Sequence, residues 1–287
     1  MARIGDLLAA GRTFSFEFFA PKTDAAQLSL GRTIAELEPL CPSFVSVTYG
    51  AGGSSRARTR EVVTWVRQET TIPPMAHLTC VGHTHGQIDE ILDVYDAADI
   101  ENILALGGDP PTDPADTTPS DYTYASDLLE QVRARSRFSV GVAAHPEGHP
   151  RSPDLVSDRE QLARKLRVAD FAITQFFFEV DHYLRLVDEL DALDVHKPVI
   201  PGIMPVTNVG QVARMSQLSG TAFPEWLADR LHDAADPEEV RHIGVNVATE
   251  LCLQLLEEGV PGLHFYTLNR SMATREIWAN LGLSAIR

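Results

Sequence analysis

Apolar residues along the chain recur with two alternating periods, and this alternation is the first guide to the fold. Short runs rich in Val, Ile, Phe and Ala occupy 13–19, 43–48, 75–80, 102–106, 138–143, 171–177, 198–203 and 262–266. They have strand length and are too short for buried helices. Between them, apolar residues fall at helical spacing: Leu30, Ile34 and Leu37; Val62, Trp65 and Val66; Ile88, Ile91, Leu92 and Tyr95. Leu128, Leu129 and Val132, then Leu184, Val187 and Leu190, then Val209, Val212 and Met215 continue the series. A further short segment at 224–231 precedes a long one with Val240, Ile243, Val247, Leu251 and Leu255 on one side, stopped by Gly259. Ile277, Trp278 and Leu281 mark the last helix. Strand and helix alternate without a linker or low-complexity break. The pattern predicts a single (β/α)8 TIM barrel over 1–287, with an extra helix before the last strand. A doubly wound open sheet is the rival, but it calls for a glycine fingerprint after the first strand, where this chain has Ala20-Pro21-Lys22.

One carboxylate interrupts the apolar pattern. In the first strand Ser15, Glu17 and Phe19 share a face, and Phe14, Phe16 and Phe18 share the other. Burying an unpaired ionised acid costs several kcal/mol, so Glu17 is expected to hold its proton near neutral pH, as a general acid must. A glutamate ion-paired in a barrel interior is the alternative.

The strand ends carry further chemistry. They run into Thr48-Tyr49-Gly50-Ala51-Gly52-Gly53, His77 and Thr79, Gly107-Gly108-Asp109, His145-Pro146-Glu147-Gly148-His149, Gln175, and Asn269-Arg270. In a (β/α)8 barrel all of these meet at one mouth. Singly, each has a plainer meaning: the glycine clusters as turns, Asp109 as a cap, Lys165 as a solvated helix lysine. His83 with His85, and His145 with His149, have spacings that could hold a metal. Both pairs lie among Gly and Pro, and no acid or cysteine completes a set, so no metal site is expected. Residues 112–122, rich in Pro, Asp and Thr, form the longest loop and a candidate lid.

Charge narrows the partners. Against 24 basic residues stand 40 acidic ones, a net charge of −16, which disfavours nucleic acid and anionic membranes. An anionic small substrate would need a locally basic pocket. Cys41, Cys80 and Cys252 are widely spaced and form no C-x-x-C, and they read as buried thiols in a reducing compartment. Residues 1–13 carry Asp6 in a short apolar run and no small-residue cleavage pattern, so no signal peptide is expected. The longest mostly apolar region, 198–213, holds three prolines and two glycines, which argues against a membrane span. A cytoplasmic protein is the expectation.

Together the strings at 14–19, 44–51, His77-Leu78-Thr79-Cys80, 124–128, 143–150, 172–178, 201–206 and 264–270 resemble, in order, the methylenetetrahydrofolate reductase family, in its bacterial catalytic-domain form. The resemblance implies a (β/α)8 barrel that reduces 5,10-methylenetetrahydrofolate to 5-methyltetrahydrofolate with NADH or NADPH through FAD, as a homo-oligomer. It assigns Glu17 as general acid and Asp109 as the negative charge near the substrate cation. Gln175, Gln211, Met215 and Arg270 become folate contacts. Thr48, Tyr49, Ala51, His77, Gly108, Asp109, Tyr124, Ala125, His145, His149, Asp158, Gln161 and Lys165 become flavin contacts, the lysine facing the phosphates. Some positions depart from the family's usual residues. Gly107 stands where the family has arginine, His145 where it has an aromatic residue, Gln161 for an asparagine and Met215 for a phenylalanine. Loss of the arginine contact costs about 1.5 to 3 kcal/mol, so FAD affinity is expected to fall. Gly107 and His145 therefore motivate an alternative, direct hydride transfer from NAD(P)H without flavin. A metal-dependent hydrolase on the same fold is the more distant one.

Overall fold

In the computed structural model, which describes residues 2–49, 56–108, 120–135 and 137–283, all eight strands form. They are β1 (Thr13–Phe18), β2 (Phe44–Val47), β3 (Pro74–Thr79), β4 (Asn102–Leu106), β5 (Ser139–Ala144), β6 (Phe171–Phe176), β7 (Val199–Ile203) and β8 (Gly262–Tyr266). Each pairs in parallel with the next, and β8 closes on β1 through Thr13↔Gly262 to Glu17↔Tyr266. Every expected strand boundary lies within one residue of the observed one. Strands buried on both faces leave this near-continuous apolar signature, because helices cover the outside and packed side chains fill the inside.

The helices are α1 (Ile4–Ala10), α2 (Asp24–Leu37), α3 (Arg56–Glu69), α4 (His85–Ala97), α5 (Ala125–Ala134), α6 (Leu155–Val168), α7 (Val180–Ala192), α8 (Val209–Ser219), α9 (Glu225–His232), α10 (Pro237–Glu257) and α11 (Met272–Asn280). Side chains fix where several begin. Thr23 accepts from Ala26 N, Asp154 from Ser157 N and Asn208 from Gln211 N, and Thr84 forms a capping box with Gln87. The extra helix before the last strand is α9.

Three details differ from the sequence pattern. Trp65 is an exposed residue of α3, whose inner face is Val62, Val63 and Val66. In α7 the buried stripe is Tyr183, Leu186 and Leu190, with Leu184 and Val187 at its edge, because the Tyr183 hydroxyl reaches in to donate to Val199 O at 2.8 Å. Cys41 is exposed at the left-handed residue that ends a short 3-10 turn, so only Cys80 and Cys252 are buried thiols.

One element was not foreseen. Residues 1–13 show too short an apolar run to announce a helix, yet α1 lies across the N-terminal end of the barrel. Its Ile4 is fully buried with Phe44, Met75, Leu104, Phe171, Ile173 and Ile200, the cluster that fills the barrel's inside. Two amides of its first turn are capped by strand side chains: Ile4 N donates to Asn102 Oδ1 at 2.8 Å, and Gly5 N to Ser139 Oγ at 3.0 Å. Around the strands a separate shell joins Phe14, Phe16 and Phe265 to Trp278 of α11. Truncating the plug by Ile4→Ala is expected to cost about 3 kcal/mol, seen as a lower urea midpoint with unchanged slope.

Candidate active site

The inside of the barrel is divided by the strands that supply it. From β4 and β6 come Leu104, Leu106, Phe171 and Ile173. From β1, β2, β3 and β8 come Ser15, Glu17, Ser46, His77 and His264. Register brings the polar set together: Ser15 is level with His264, and Glu17 with Ser46 on one side and Tyr266 on the other.

Three side chains converge on one oxygen of Glu17. Ser46 Oγ donates to Oε2 at 3.3 Å, His77 Nε2 lies 3.3 Å from it, and His264 Nε2 lies 3.5 Å from it. Oε1 has no hydrogen bond among the described residues. The Thr267 hydroxyl fixes the strand below by donating to Glu17 O at 2.6 Å. Burial pushes the Glu17 carboxyl upward, but the charge of His77 3.3 Å away and the hydrogen bond from His264 outweigh it and hold it down at about 2. The expectation of a carboxyl that keeps its proton at neutral pH is therefore corrected. The alternative, a glutamate paired inside the barrel, matches the geometry of the open site. His264, fully buried and stacked on Phe44, is drawn below the usual imidazole range by that burial, against the opposing pull of Glu17.

Above this cluster opens a cavity of about 320 Å³ at the C-terminal ends of the strands. Its lining is mixed, with Glu17, Thr48, Tyr49, His77, His145, Gln175 and Tyr266 interspersed with Phe19, Leu104, Leu106, Ile173, Phe176, Met215 and Leu268. The Tyr266 hydroxyl donates to Thr174 O at 2.6 Å, which turns the ring across the cavity floor.

The β5–α6 side carries positive charge. Lys165 Nζ donates to Ala143 O at 3.4 Å and makes no ion pair among the described residues. Burial lowers its pKa, opposed by Asp158. His145 packs edge-on against His149, and burial, then His149 and Lys165, push it down to about 3, so it stays neutral. Asp158 accepts from His149 N at 3.1 Å and Ser152 Oγ at 3.0 Å, and pairs with Arg159 at 2.7 Å. Arg159 in turn donates to His145 O and Pro146 O, so the pair holds the β5–α6 loop in shape. A Cβ added at Gly107 would lie 3.5 Å from Arg151 Nη2, which donates to Gly108 O at 3.5 Å. A guanidinium from the β5–α6 loop therefore stands over the tip of β4. Gly108 has φ +85°, and a Cβ there would come within 3.0 Å of Thr79 and Val81 side-chain atoms, which requires glycine.

The arrangement is a buried, ionised carboxylate beside a cavity of mixed polar and apolar lining, with Lys165 and Arg151 on the β5–α6 side. Across nearly the whole chain, the family model described as Methylenetetrahydrofolate reductase matches, over residues 3–282. This chain belongs to the methylenetetrahydrofolate reductase family. It is 37% identical over 271 residues to the 5,10-methylenetetrahydrofolate reductase of Escherichia coli (strain K12), covering 94% of this chain and 90% of that one. With Methylenetetrahydrofolate reductase 1 of Schizosaccharomyces pombe the identity is 38% over 280 residues, covering 94% of this chain and 46% of the yeast protein. Relatives so named are oxidoreductases. Among solved structures, a Clostridium thermocellum protein that binds two copies of 5-methyl-5,6,7,8-tetrahydrofolic acid superposes with TM-score 0.69 at 14% identity over 97% of each chain, a likeness of fold.

Of the residues the family resemblance singles out, Glu17, Thr48, Tyr49, His77, His145, Gln175 and Met215 line one cavity. Gly108, His149, Asp158 and Lys165 lie on the β4–β5 side, where Asp158 faces the loop. Tyr124 and Ala125 begin α5, with the Tyr124 ring exposed; Gln161, Gln211 and Arg270 are exposed and outside the cavity lining. Ala51, Asp109, Gly50 to Gly53 and most of the candidate lid lie outside the described residues. His83 is engaged by Tyr49 and Val81 O and His85 by Gln131, and the described residues contain no metal-ligating group of three. Ser15, Ser46, His264 and Tyr266 were assigned no role from sequence. Their signal was parity: each sits at a strand position that faces the same way as Glu17.

The folded carboxyl of Glu17 titrates at about 2 against 4.5 when unperturbed, so it stabilises the fold above about pH 4.5 and loses that contribution as pH falls toward 2. Glu17→Gln is expected to lower the urea midpoint at neutral pH, and to lose less stability than the parent protein between about pH 4.5 and 2.

Proposed function

We propose that the chain reduces 5,10-methylenetetrahydrofolate to 5-methyltetrahydrofolate, with NADH or NADPH as hydride source and FAD as carrier. The observation that carries this reading is a buried glutamate with three side chains gathered at one oxygen, itself part of the lining of a cleft that mixes polar and apolar side chains. A pterin needs such a cleft. Gln175, a lining residue, is the hydrogen-bond partner of its polar edge in this reading, and Phe19, Met215 and Leu268 of the same lining cover its face. Arg270, exposed beyond β8, is suited to the carboxylates of the folate tail. Glu17 gives a proton to the ring nitrogen as the five-membered ring opens to the iminium ion. In the open site that carboxyl is ionised, and covering it with a largely apolar ring strengthens the desolvation that already opposes its charge. Proton uptake by Glu17 therefore accompanies folate binding. Asp109 completes the family's pair of acids.

The β5–α6 side suits FAD. Lys165 is a buried cation that makes no ion pair among the described residues, with Asp158 as a more distant counter-charge, and such a cation suits a phosphate. Arg151 supplies a guanidinium at Gly107, where the family's arginine is missing. FAD held there would supply a hydride carrier between the nicotinamide and the folate. Direct transfer without flavin is the second reading, favoured by Gly107 and the small cavity. Ternary-complex kinetics in FAD-free protein would select it, and parallel-line kinetics would select the flavin route.

The pure protein is expected to absorb as a flavoprotein and to bleach on addition of NAD(P)H; a colourless protein that turns over without FAD overturns the flavin route. By fluorescence titration, Arg151→Ala should weaken FAD binding about tenfold. Stopped-flow measurement should find that Glu17→Gln abolishes folate reduction and leaves flavin reduction by nicotinamide intact. Equal loss of both half-reactions would make Glu17 structural.

A further inference from the structure

Beside Ser46, which meets Glu17 directly, two deeper polar side chains have no part in the cavity. Ser15 and His264 are fully buried beneath Glu17 and do not line the cavity. Neighbouring positions at this depth, Phe44, Met75 and Leu104, are apolar, so packing alone does not call for an imidazole and a hydroxyl. Their contacts run in one direction. Ser15 Oγ lies 2.7 Å from His264 Nδ1, and His264 Nε2 lies 3.3 Å from Ser46 Oγ and 3.5 Å from Glu17 Oε2.

We propose that His264 is the positioning residue of Glu17: its Nε2 holds Oε2 from behind so that Oε1 alone meets the substrate, and Ser15 selects which ring nitrogen carries the hydrogen. The proposal rests on the reading of Glu17 as proton donor. Ser15 has one hydroxyl hydrogen and two acceptors in reach, His264 Nδ1 and, at 3.4 Å, Leu263 O. Donated to Nδ1, it leaves Nε2–H to bond the carboxylate. Donated to Leu263 O, it would accept from Nδ1–H and leave Nε2 a bare acceptor facing Oε2; with the hydrogen on Nε2, the ring meets Oε2 both when Oε1 is ionised and when Oε1 carries the proton. One neutral imidazole thus serves both states of the acid, and its burial favours the neutral ring. When the proton leaves, the Glu17 O–H bond breaks, an N–H bond forms on the substrate, and the charge left on the carboxylate is met by Nε2–H. The other groups facing Glu17 are Ser46 from β2, His77 from β3 and Tyr266 from β8. His77 and Tyr266 line the cavity, whereas His264 acts from beneath.

His264→Phe keeps the stacking on Phe44 and removes both ring nitrogens, His264→Gln restores a donor, and Ser15→Ala removes only the Nδ1 partner. Folate reduction is expected to fall about 100-fold in His264→Phe with KM within about twofold, to recover in part in His264→Gln, and to fall about tenfold in Ser15→Ala. Flavin reduction by NAD(P)H stays at the parent rate in all three. Difference infrared spectra, with the Glu17 band assigned by its loss in Glu17→Gln, should show the carboxyl titrating at higher pH in His264→Phe and Ser15→Ala than in the parent. Equal loss of both half-reactions, or an unmoved infrared titration, overturns the proposal. If His264→Phe does not fold, Ser15→Ala decides by the same readouts. A parent protein without folate reduction would sink the reading of Glu17 alone, because the infrared titration still judges His264.

Discussion

A carboxylate held inside a closed barrel constrains everything around it. Taking that charge out of water is opposed by several kcal/mol, and the opposition is met only if neighbouring strands give up apolar positions. Four do so: β1 with Ser15, β2 with Ser46, β3 with His77 and β8 with His264. The opposite strands keep Leu104, Leu106 and Ile173. The result is a polar cluster around Glu17 set among apolar side chains, Phe44 and Met75 of the same strands included.

Much of this fold was legible because parallel strands and amphipathic helices write their burial into sequence. β4 and β8 were read to the residue, and Gly259 marked the end of α10 as expected. The helix α1 was not legible, since its stability comes from Asn102 and Ser139, about 100 residues and more away, rather than from its own seven residues. For the same reason the charge state of Glu17 was misjudged. A strand of phenylalanines announces burial, but the partners that decide ionisation sit on three other strands, and only closure of the barrel brings them within 3.5 Å. Trp65 shows the converse limit: an apolar residue at helical spacing can still face outward.

Arg151 illustrates how a local departure can be read only in three dimensions. Along the chain, Gly107 is a missing arginine. In space, a guanidinium arriving from the next loop covers the same strand tip, and the loop is held by Asp158 and Arg159, so the arginine's starting point is fixed. Charge near a site belongs to the surface it creates, and several sequence positions can supply it.

The plug formed by Ile4 makes the barrel a blind well. Apolar side chains fill the inside above that base, the described cavity lies at the other end of the strands, and whichever molecule enters it acts as a stopper for the rest. Under the proposed chemistry the proton for Glu17 must arrive together with the folate that covers it, so one visit delivers one proton.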